Sequence, residues 1–422
     1  MTEKTALPQA GIENHGWRVT FAGMGINLAL GILYTWSVIS KRIPEGWGWN
    51  EDDKSLPYMF ACLVFSLIMV PAGRMQDKIG PRIVASIGGI LVGIGLIIAG
   101  MNTTLAGFVI GFGILAGAGI GFGYASATPP AVKWFPAART GLIAGIVVSG
   151  FGLASVYAAP VTSLLMDRFG FQTAIMIWGI AFLIVVVGLA QLLRPPPPGY
   201  IPAGSPPTPV AAVGSKKEEF LPREMLRTGQ FYAIWFMYVC GAGAGLMIIS
   251  KLAAIGDKQA GINLGFVLVA VLAVGNGAGR IAAGMLSDKI GRKAAMFICF
   301  VSQALLIFLL SRATKASGLD NIPVLALISA LIGANYGANL SLFPSITKDY
   351  YGMKNFGMNY GLVFTAWGVG GFMLAKLAGA MYVRHQTFNV AYYGASVLLI
   401  LAAVMAVLLR APHHTIKEAQ VE

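Results

Sequence analysis

One pattern occurs twice in this chain, as GRMQDKIGPR at residues 73–82 and as GMLSDKIGRK at residues 284–293. Both copies keep the two glycines, the Asp-Lys pair and the closing basic residues. They start 211 residues apart (284 − 73), which is half of the 422-residue length, and each follows a long apolar stretch. A repeat on this scale indicates that the chain is built from two related halves.

The composition excludes a soluble protein. Hydrophobic residues make up 56% of the chain and charged residues only 11%, whereas soluble domains carry about 25% charged residues. The 54 glycines are typical of helices that approach closely in lipid. The three cysteines, Cys62, Cys240 and Cys299, lie in apolar runs, which excludes a disulfide scaffold. We therefore expect a polytopic membrane protein.

Apolar stretches long enough to cross the membrane as helices occur twelve times. They lie near residues 17–40, 54–74, 82–101, 104–131, 140–164, 171–193, 229–252, 262–285, 294–312, 321–346, 357–383 and 389–409. A proline-rich segment that begins PPPPGYIPAGSPPTP at residue 195 interrupts the series, since proline at this density cannot sustain a helix. The sequence predicts an all-α integral membrane fold with twelve transmembrane helices in two pseudo-symmetric six-helix bundles. The predicted bundles are residues 1–194 and 229–422, joined by a cytoplasmic linker, 195–228.

The distribution of basic residues predicts the orientation. Most of the 30 Lys and Arg residues fall in segments on the same side as the two termini, and an excess of basic residues marks the cytoplasmic side. We expect a multi-pass protein of the cell (inner) membrane with both termini cytoplasmic. The net charge of +13 then reflects topology and contact with lipid, and no nucleic-acid partner is expected.

Two basic residues remain deep inside the predicted spans, Arg280 and Lys376. The 17 acidic residues and the four histidines fall in tails, loops or span ends, so neither cation has an acidic partner at its depth. Helical side chains lean toward the helix N-terminus, which directs both cations to the middle of the membrane. Such residues indicate a functional site. Arg280 can bind a carboxylate in bidentate fashion, and Asn276 lies one turn away on the same face.

Depth alone adds further candidates for a substrate cavity near the midplane. Each of them can equally be a packing residue of the core. The candidates are Asn27, Leu28, Tyr124, Asn335, Tyr336, Tyr360 and Phe364.

The repeated pattern resembles the signature loop of the major facilitator superfamily, and together with twelve spans the resemblance covers nearly the whole chain. It implies a gate motif on the cytoplasmic face, in which Asp77 and Asp288 bond to helix amides and basic groups. The motif residues are Gly73, Asp77, Arg82, Gly284, Asp288 and Arg292.

A second resemblance concerns the segment Trp134-Phe135-Pro136 and the glycine-rich span after it. This region is similar to the monocarboxylate transporter family and its bacterial relatives, the oxalate:formate antiporters. The family's arginine in the eighth span matches Arg280. Many animal members carry an aspartate four residues earlier, tied to proton coupling, where this chain has Asn276. The span-11 lysine of the oxalate exchanger aligns near Trp367 and not Lys376, which disfavours a dicarboxylate clamp.

The sequence therefore predicts a secondary active transporter of small monocarboxylates such as lactate or pyruvate, with Arg280 binding the carboxylate. Proton-coupled symport by alternating access is favoured, and the alternative is a carboxylate exchanger of the oxalate:formate type. An enzyme is disfavoured because the spans lack a base, nucleophile or metal cluster. We expect no cofactor and no metal, and a monomer suffices.

Overall fold

A computed structural model describes residues 13–136, 139–197, 200, 202, 219–258, 265–314, 319, 321–352 and 355–412, and within these the side chains of Asp77, Thr140, Asp257 and Lys258 are not described. All twelve predicted spans are helices long and apolar enough to cross a membrane. They are α1 (Gly16–Lys41), α2 (Leu56–Ile79), α3 (Pro81–Met101), α4 (Leu105–Val132), α5 (Thr140–Phe169), α6 (Phe171–Ala190), α7 (Gly229–Lys258), α8 (Gly265–Ile290), α9 (Arg292–Ser311), α10 (Ile322–Tyr351), α11 (Phe356–His385) and α12 (Asn389–Leu408). The all-α membrane fold is confirmed.

The two copies of the repeated pattern form the same turn. Gly80, between α2 and α3, has φ 88° and ψ 155°, and Gly291, between α8 and α9, has φ 87° and ψ 156°. A positive φ of this kind favours glycine, because a side chain would clash there. The second glycine of the pattern, which both copies share, thus lets two helices follow each other without a loop in each half.

The helix bundle has two ends. The linker face is the end with the turns at Gly80 and Gly291, and the loop face is the opposite end, which includes residues 42–55. On the linker face, Arg292 donates from Nη1 to Asp288 at 2.6 Å and from Nε to Asp349 of α10 at 3.0 Å. In the first copy Arg82 is half-buried. The gate role of the motif stays a prediction.

Glycines set the spacing of α8 and α10. Gly275 and Gly279 of α8 face backbone of α10, and Gly333 and Gly337 of α10 face backbone of α8, so that a Cβ at any of them would clash. Small residues permit this close approach in lipid. The packing brings Asn276 beside Gly337, next to Tyr336 in the chain.

The two halves meet mainly along two helix pairs, α5 with α8 and α2 with α11, and α1 also contacts α7 and α8. The site residues described below lie along these seams. The bundle boundaries expected from the sequence, 1–194, 195–228 and 229–422, stay a prediction, because most of the connecting segment lies outside the described residues. At its end, Phe220 packs against Tyr351 and its carbonyl accepts from Asn359.

Candidate functional site

Arg280 is buried in α8 and joins the two halves. Its side chain is 5% exposed, and its Nε donates to Asn276 Oδ1 at 3.1 Å. Its Nη1 donates to the carbonyl of Val148 in α5 at 2.9 Å. Within the described residues no carboxylate pairs with Arg280, and two buried donors on this turn, Arg280 Nη2 and Asn276 Nδ2, have no hydrogen-bond partner. The turn therefore offers a positive charge and two unused N–H groups.

Helix α5 supplies the opposite wall. A Cβ added at Gly152 would lie 3.3 Å from Arg280 Nε and 3.4 Å from Cζ, so the guanidinium lies flat against this glycine. The carbonyl of Val147, one residue before Val148, accepts from Asn27 of α1 at 2.8 Å. Two successive carbonyls of α5 thus accept from α1 and from α8. The sequence placed Asn27 at the site but gave no reason to select Gly152.

Aromatic side chains surround the guanidinium. The Tyr124 hydroxyl lies beside it, and the Tyr124 ring packs against Phe65 at 5.4 Å and Phe364 at 6.2 Å between centroids. Phe364 in turn contacts Tyr360 at 5.7 Å and Trp367 at 5.3 Å. The predicted residues Tyr124, Tyr360 and Phe364 are therefore close together. Interior sites with apolar walls and few polar groups are typical of small-ligand binding.

A hydrogen-bonded group of three aromatic residues lies on the loop-face side of Arg280. The Tyr34 and Tyr336 hydroxyls are bonded to each other, and Trp367 Nε1 donates to Tyr336 at 2.8 Å. Tyr336 was predicted from its depth. Sequence reasoning missed Tyr34, although it lies two turns from Asn27, and treated Trp367 only as an alignment position.

The expectation that Lys376 has no acidic partner is wrong. Its Nζ lies 3.6 Å from Asp52 and its side chain is 49% exposed, at the loop face. The segment before α2 folds back over α11, where Gly379 packs against Glu51 and Asp52. This fold-back supplies the acidic partner that the sequence did not place beside Lys376.

The contacts given for two other candidates lie on other helices. The carbonyl of Leu28 accepts from the Tyr157 hydroxyl of α5 at 3.0 Å, and its side chain is half-buried. Asn335 faces α9, where its Oδ1 accepts from Ser302 at 2.7 Å. The described residues also contain no group of three or more His, Cys, Asp or Glu side chains that could hold a metal.

The two halves are joined by polar contacts at the loop face. Lys251 of α7 is 2% exposed and lies 3.4 Å from the Glu51 carboxylate. Tyr58 of α2 donates to the carbonyl of Leu246 in α7 at 3.2 Å. Near the linker face, by contrast, a Cβ added at Gly73, Gly145, Gly284 or Gly357 would meet no atom of the described residues within 4 Å. The site is therefore covered on its loop-face side.

The chain is similar to several transporters. An uncharacterised MFS-type transporter of Escherichia coli is 26% identical, over 84% of this chain and 85% of its own length. The oxalate:formate antiporter of Oxalobacter formigenes is 26% identical, over 85% of this chain and 84% of its own. Monocarboxylate transporter 11 of Mus musculus is 25% identical, over 93% and 86%.

A solved structure shares the fold. It is a bacterial homologue of the human lysosomal transporter Spinster in an inward-facing, unoccupied conformation, with a TM-score of 0.60 at 16% identity over 94% of this chain and 96% of that one. The sequence profile of the Major Facilitator Superfamily matches residues 34–273 and 253–421. These matches run from α1 to the last residues of the chain. The chain therefore belongs to the major facilitator superfamily of membrane transporters.

Proposed function

We propose that this transporter carries small monocarboxylates such as lactate or pyruvate and that Arg280 binds the carboxylate. The observation that supports this is the pair of unpartnered buried donors, Arg280 Nη2 and Asn276 Nδ2. A buried donor without an acceptor is unfavourable by about 1–3 kcal/mol. A carboxylate offers two acceptor oxygens and a negative charge, so it would satisfy both donors and the guanidinium at once.

The charge of the site favours a monoanion. Lys251 of α7 and Lys376 of α11 are already paired with Glu51 and Asp52. This leaves Arg280 as the cation for a ligand, and a second negative charge on the substrate would be buried without a partner. Trp367, near which the lysine of an oxalate exchanger would align, is uncharged.

Alternating access fits a site between two halves that is covered on one side. We infer that the linker face, where most basic residues lie, is cytoplasmic and that the membrane is the inner membrane. A covered loop face then corresponds to access from the cytoplasm.

Proton symport is our preferred coupling. The described residues around Arg280 include no carboxylate, so the proton would travel with the substrate. The guanidinium has two protein acceptors, Asn276 Oδ1 and the Val148 carbonyl, one from each half. The protein itself therefore stabilises part of the guanidinium charge when no substrate is bound. This favours a return step in which the empty transporter changes conformation. Anion exchange is the alternative, because a relative is named as an oxalate:formate antiporter.

The test is uptake of labelled lactate, pyruvate, formate and oxalate by proteoliposomes, with and without an inward proton gradient. We expect uptake of the monocarboxylates that the gradient stimulates. Stimulation by internal anion without a response to the gradient would establish exchange. Arg280→Gln should lower uptake by about 100-fold, whereas the matched control Lys376→Gln should stay close to the parent. Normal uptake by a folded Arg280→Gln protein would refute the proposal.

A further inference from the structure

A small recess lies on the linker face of the first half, where the start of α1 meets the segment that follows α6. It is lined by His15, Arg18, Leu192 and Arg194. Along α1, Arg18 is separated from Asn27 by roughly 14 Å, the rise of a helix over that span. The recess is therefore separate from the site around Arg280.

The buried ring of Trp134 holds the two walls of this recess together. Its Nε1 donates to the carbonyl of Arg194 at 2.7 Å, and its ring meets the His15 ring edge-on with the centroids 5.9 Å apart. A Cβ added at Gly16 would lie 2.7 Å from Trp134 Cβ, so α1 begins in close contact with this side chain. Trp134 therefore fixes the segment after α6 beside the first turn of α1.

The recess carries positive charge that the described residues do not neutralise. Arg18 and Arg194 are exposed, and the ion pairs of the described residues involve neither of them. Glu13, the acidic residue nearest to Arg18 along the chain, is exposed and takes part in none of those pairs. Because α1 starts at Gly16, the positive end of its dipole also lies here. Two guanidinium groups, each a planar fork of donors, favour an anion with several oxygens, such as phosphate.

Two exposed aromatic side chains continue from the recess along α1. Trp17 is 46% exposed and Phe21 is 58% exposed, and their rings stack with the centroids 5.8 Å apart. Leu28 follows on the same face of the helix, and its carbonyl accepts from the exposed Tyr157 of α5. Trp and Tyr side chains are typical of the level at which lipid headgroups lie. This face of α1 therefore has the composition of a membrane-facing surface at headgroup level.

The size of the recess limits what it can hold. Its volume is about 30 Å³, which is room for one or two water molecules. One oxygen of a phosphate group fits this space, whereas a whole metabolite does not. The rest of the ligand must therefore remain outside the recess, on the aromatic surface of α1.

We propose that the recess is a binding site for anionic phospholipids such as phosphatidylglycerol or cardiolipin. The phosphate of the headgroup contacts Arg18 and Arg194, and the acyl chains lie along Trp17 and Phe21. Basic pockets between transmembrane helices bind headgroups of this kind. Since the recess joins the first and the last helix of the first half, a bound lipid stabilises their packing. The site does not depend on which substrate is transported.

The experiment measures binding of phosphatidylglycerol, cardiolipin and phosphatidylcholine to the purified full-length protein in a neutral detergent, by native mass spectrometry. Arg18→Gln/Arg194→Gln removes both guanidinium groups. We expect the affinity for phosphatidylglycerol to fall roughly 30-fold, since each basic residue near anionic headgroups contributes about a factor of five. Phosphatidylcholine has no net charge, so it should bind weakly and alike to the parent and to this variant.

The matched control is Arg223→Gln/Arg227→Gln, which removes the same charge from two exposed arginines on the same face, just before α7. It should bind phosphatidylglycerol like the parent. Trp17→Ala/Phe21→Ala keeps the charge and removes the aromatic surface, so it should weaken phosphatidylglycerol binding several-fold. Inorganic phosphate in excess should not displace the lipid from the parent, because it has no acyl chains to contact that surface.

Unchanged phosphatidylglycerol affinity in a folded Arg18→Gln/Arg194→Gln protein would overturn the proposal. An equal loss in the two arginine variants would do the same, because it indicates a general effect of charge. Displacement by inorganic phosphate, or parent-like binding by Trp17→Ala/Phe21→Ala, would contradict the assignment to a lipid. Size-exclusion profiles report folding, and we expect them to be unchanged because the substituted side chains are exposed.

Discussion

Buried cations have an acidic partner at the loop face and neutral acceptors in the middle of the membrane. At the loop face, Lys251 is almost fully buried and lies against the carboxylate of Glu51, with a second pair between Asp52 and Lys376 beside it. In the middle, the acceptors that the described residues give to Arg280 are neutral, an amide oxygen and a backbone carbonyl.

This difference separates a structural link from a ligand site. A buried cation with a resident carboxylate has its charge neutralised, and removing either partner leaves an unpaired charge. A cation with neutral acceptors keeps its charge for an anion that arrives from outside. Lys251 and Arg280 are both buried. The regions therefore differ in whether the protein itself supplies a carboxylate to the buried cation.

The largest effect is expected when the middle is made to resemble the loop face. Asn276→Asp places a resident carboxylate next to Arg280, which then competes with the substrate for the guanidinium. We expect KM for pyruvate to rise roughly 100-fold at neutral pH, from the attraction between opposite charges in a poorly hydrated site. Asn276→Ala, which removes one donor without adding charge, is the control and should show a smaller rise. An unchanged KM in Asn276→Asp would contradict the role of Arg280 as an anion site.

The reverse change makes the loop face resemble the middle. Glu51→Gln leaves Lys251 with only neutral acceptors from residue 51, although Lys54 also lies 3.6 Å from the Glu51 carboxylate. We expect closure of the loop face to weaken by about 2 kcal/mol, less than the roughly 3–5 kcal/mol of a fully buried pair, because the Glu51 side chain is partly exposed. Spin labels at the exposed positions Glu45 and His385 should report longer distances between the halves.

A charge exchange provides the control for that experiment. In the double variant Glu51→Lys/Lys251→Glu the pair is restored with opposite polarity, and the short label distances should return. If Glu51→Gln gives the parent distance distribution, the pair is not part of loop-face closure.

The smallest effect is expected at the wall beside Arg280. Gly152→Ala adds a methyl group 3.3–3.4 Å from the guanidinium, which must shift by a few tenths of an ångström. We expect a rise in KM of about threefold, because charge-assisted hydrogen bonds depend on geometry. Gly145→Ala on the same helix has open space and should leave KM unchanged. Equal kinetics in the two variants would show that the guanidinium tolerates displacement.

Local patterns in the sequence were sufficient for the membrane fold and for part of the site. Apolar stretch lengths and the repeat predict the twelve helices, and Arg280 is conspicuous because it is ionisable within a span. Asn276 follows from helix periodicity alone, since it lies one turn from Arg280. Tyr34 and Trp367 could not be recognised in this way, because aromatic residues are common in apolar helices and their partner Tyr336 is distant in sequence.

The sequence by itself determined that this protein lies in a membrane, how many helices span it, that the two halves are related and that one span carries a deeply placed ionisable residue. These properties depend on residue type and on spacing along the chain. Tertiary structure alone decided which cations are neutralised. Lys376 and Lys251 acquire acidic partners because the segment before α2 folds across α7 and α11. Arg280 acquires none among the described residues, because α5 presents backbone there. Neutralisation depends on distances between helices, and a linear pattern does not encode those distances directly.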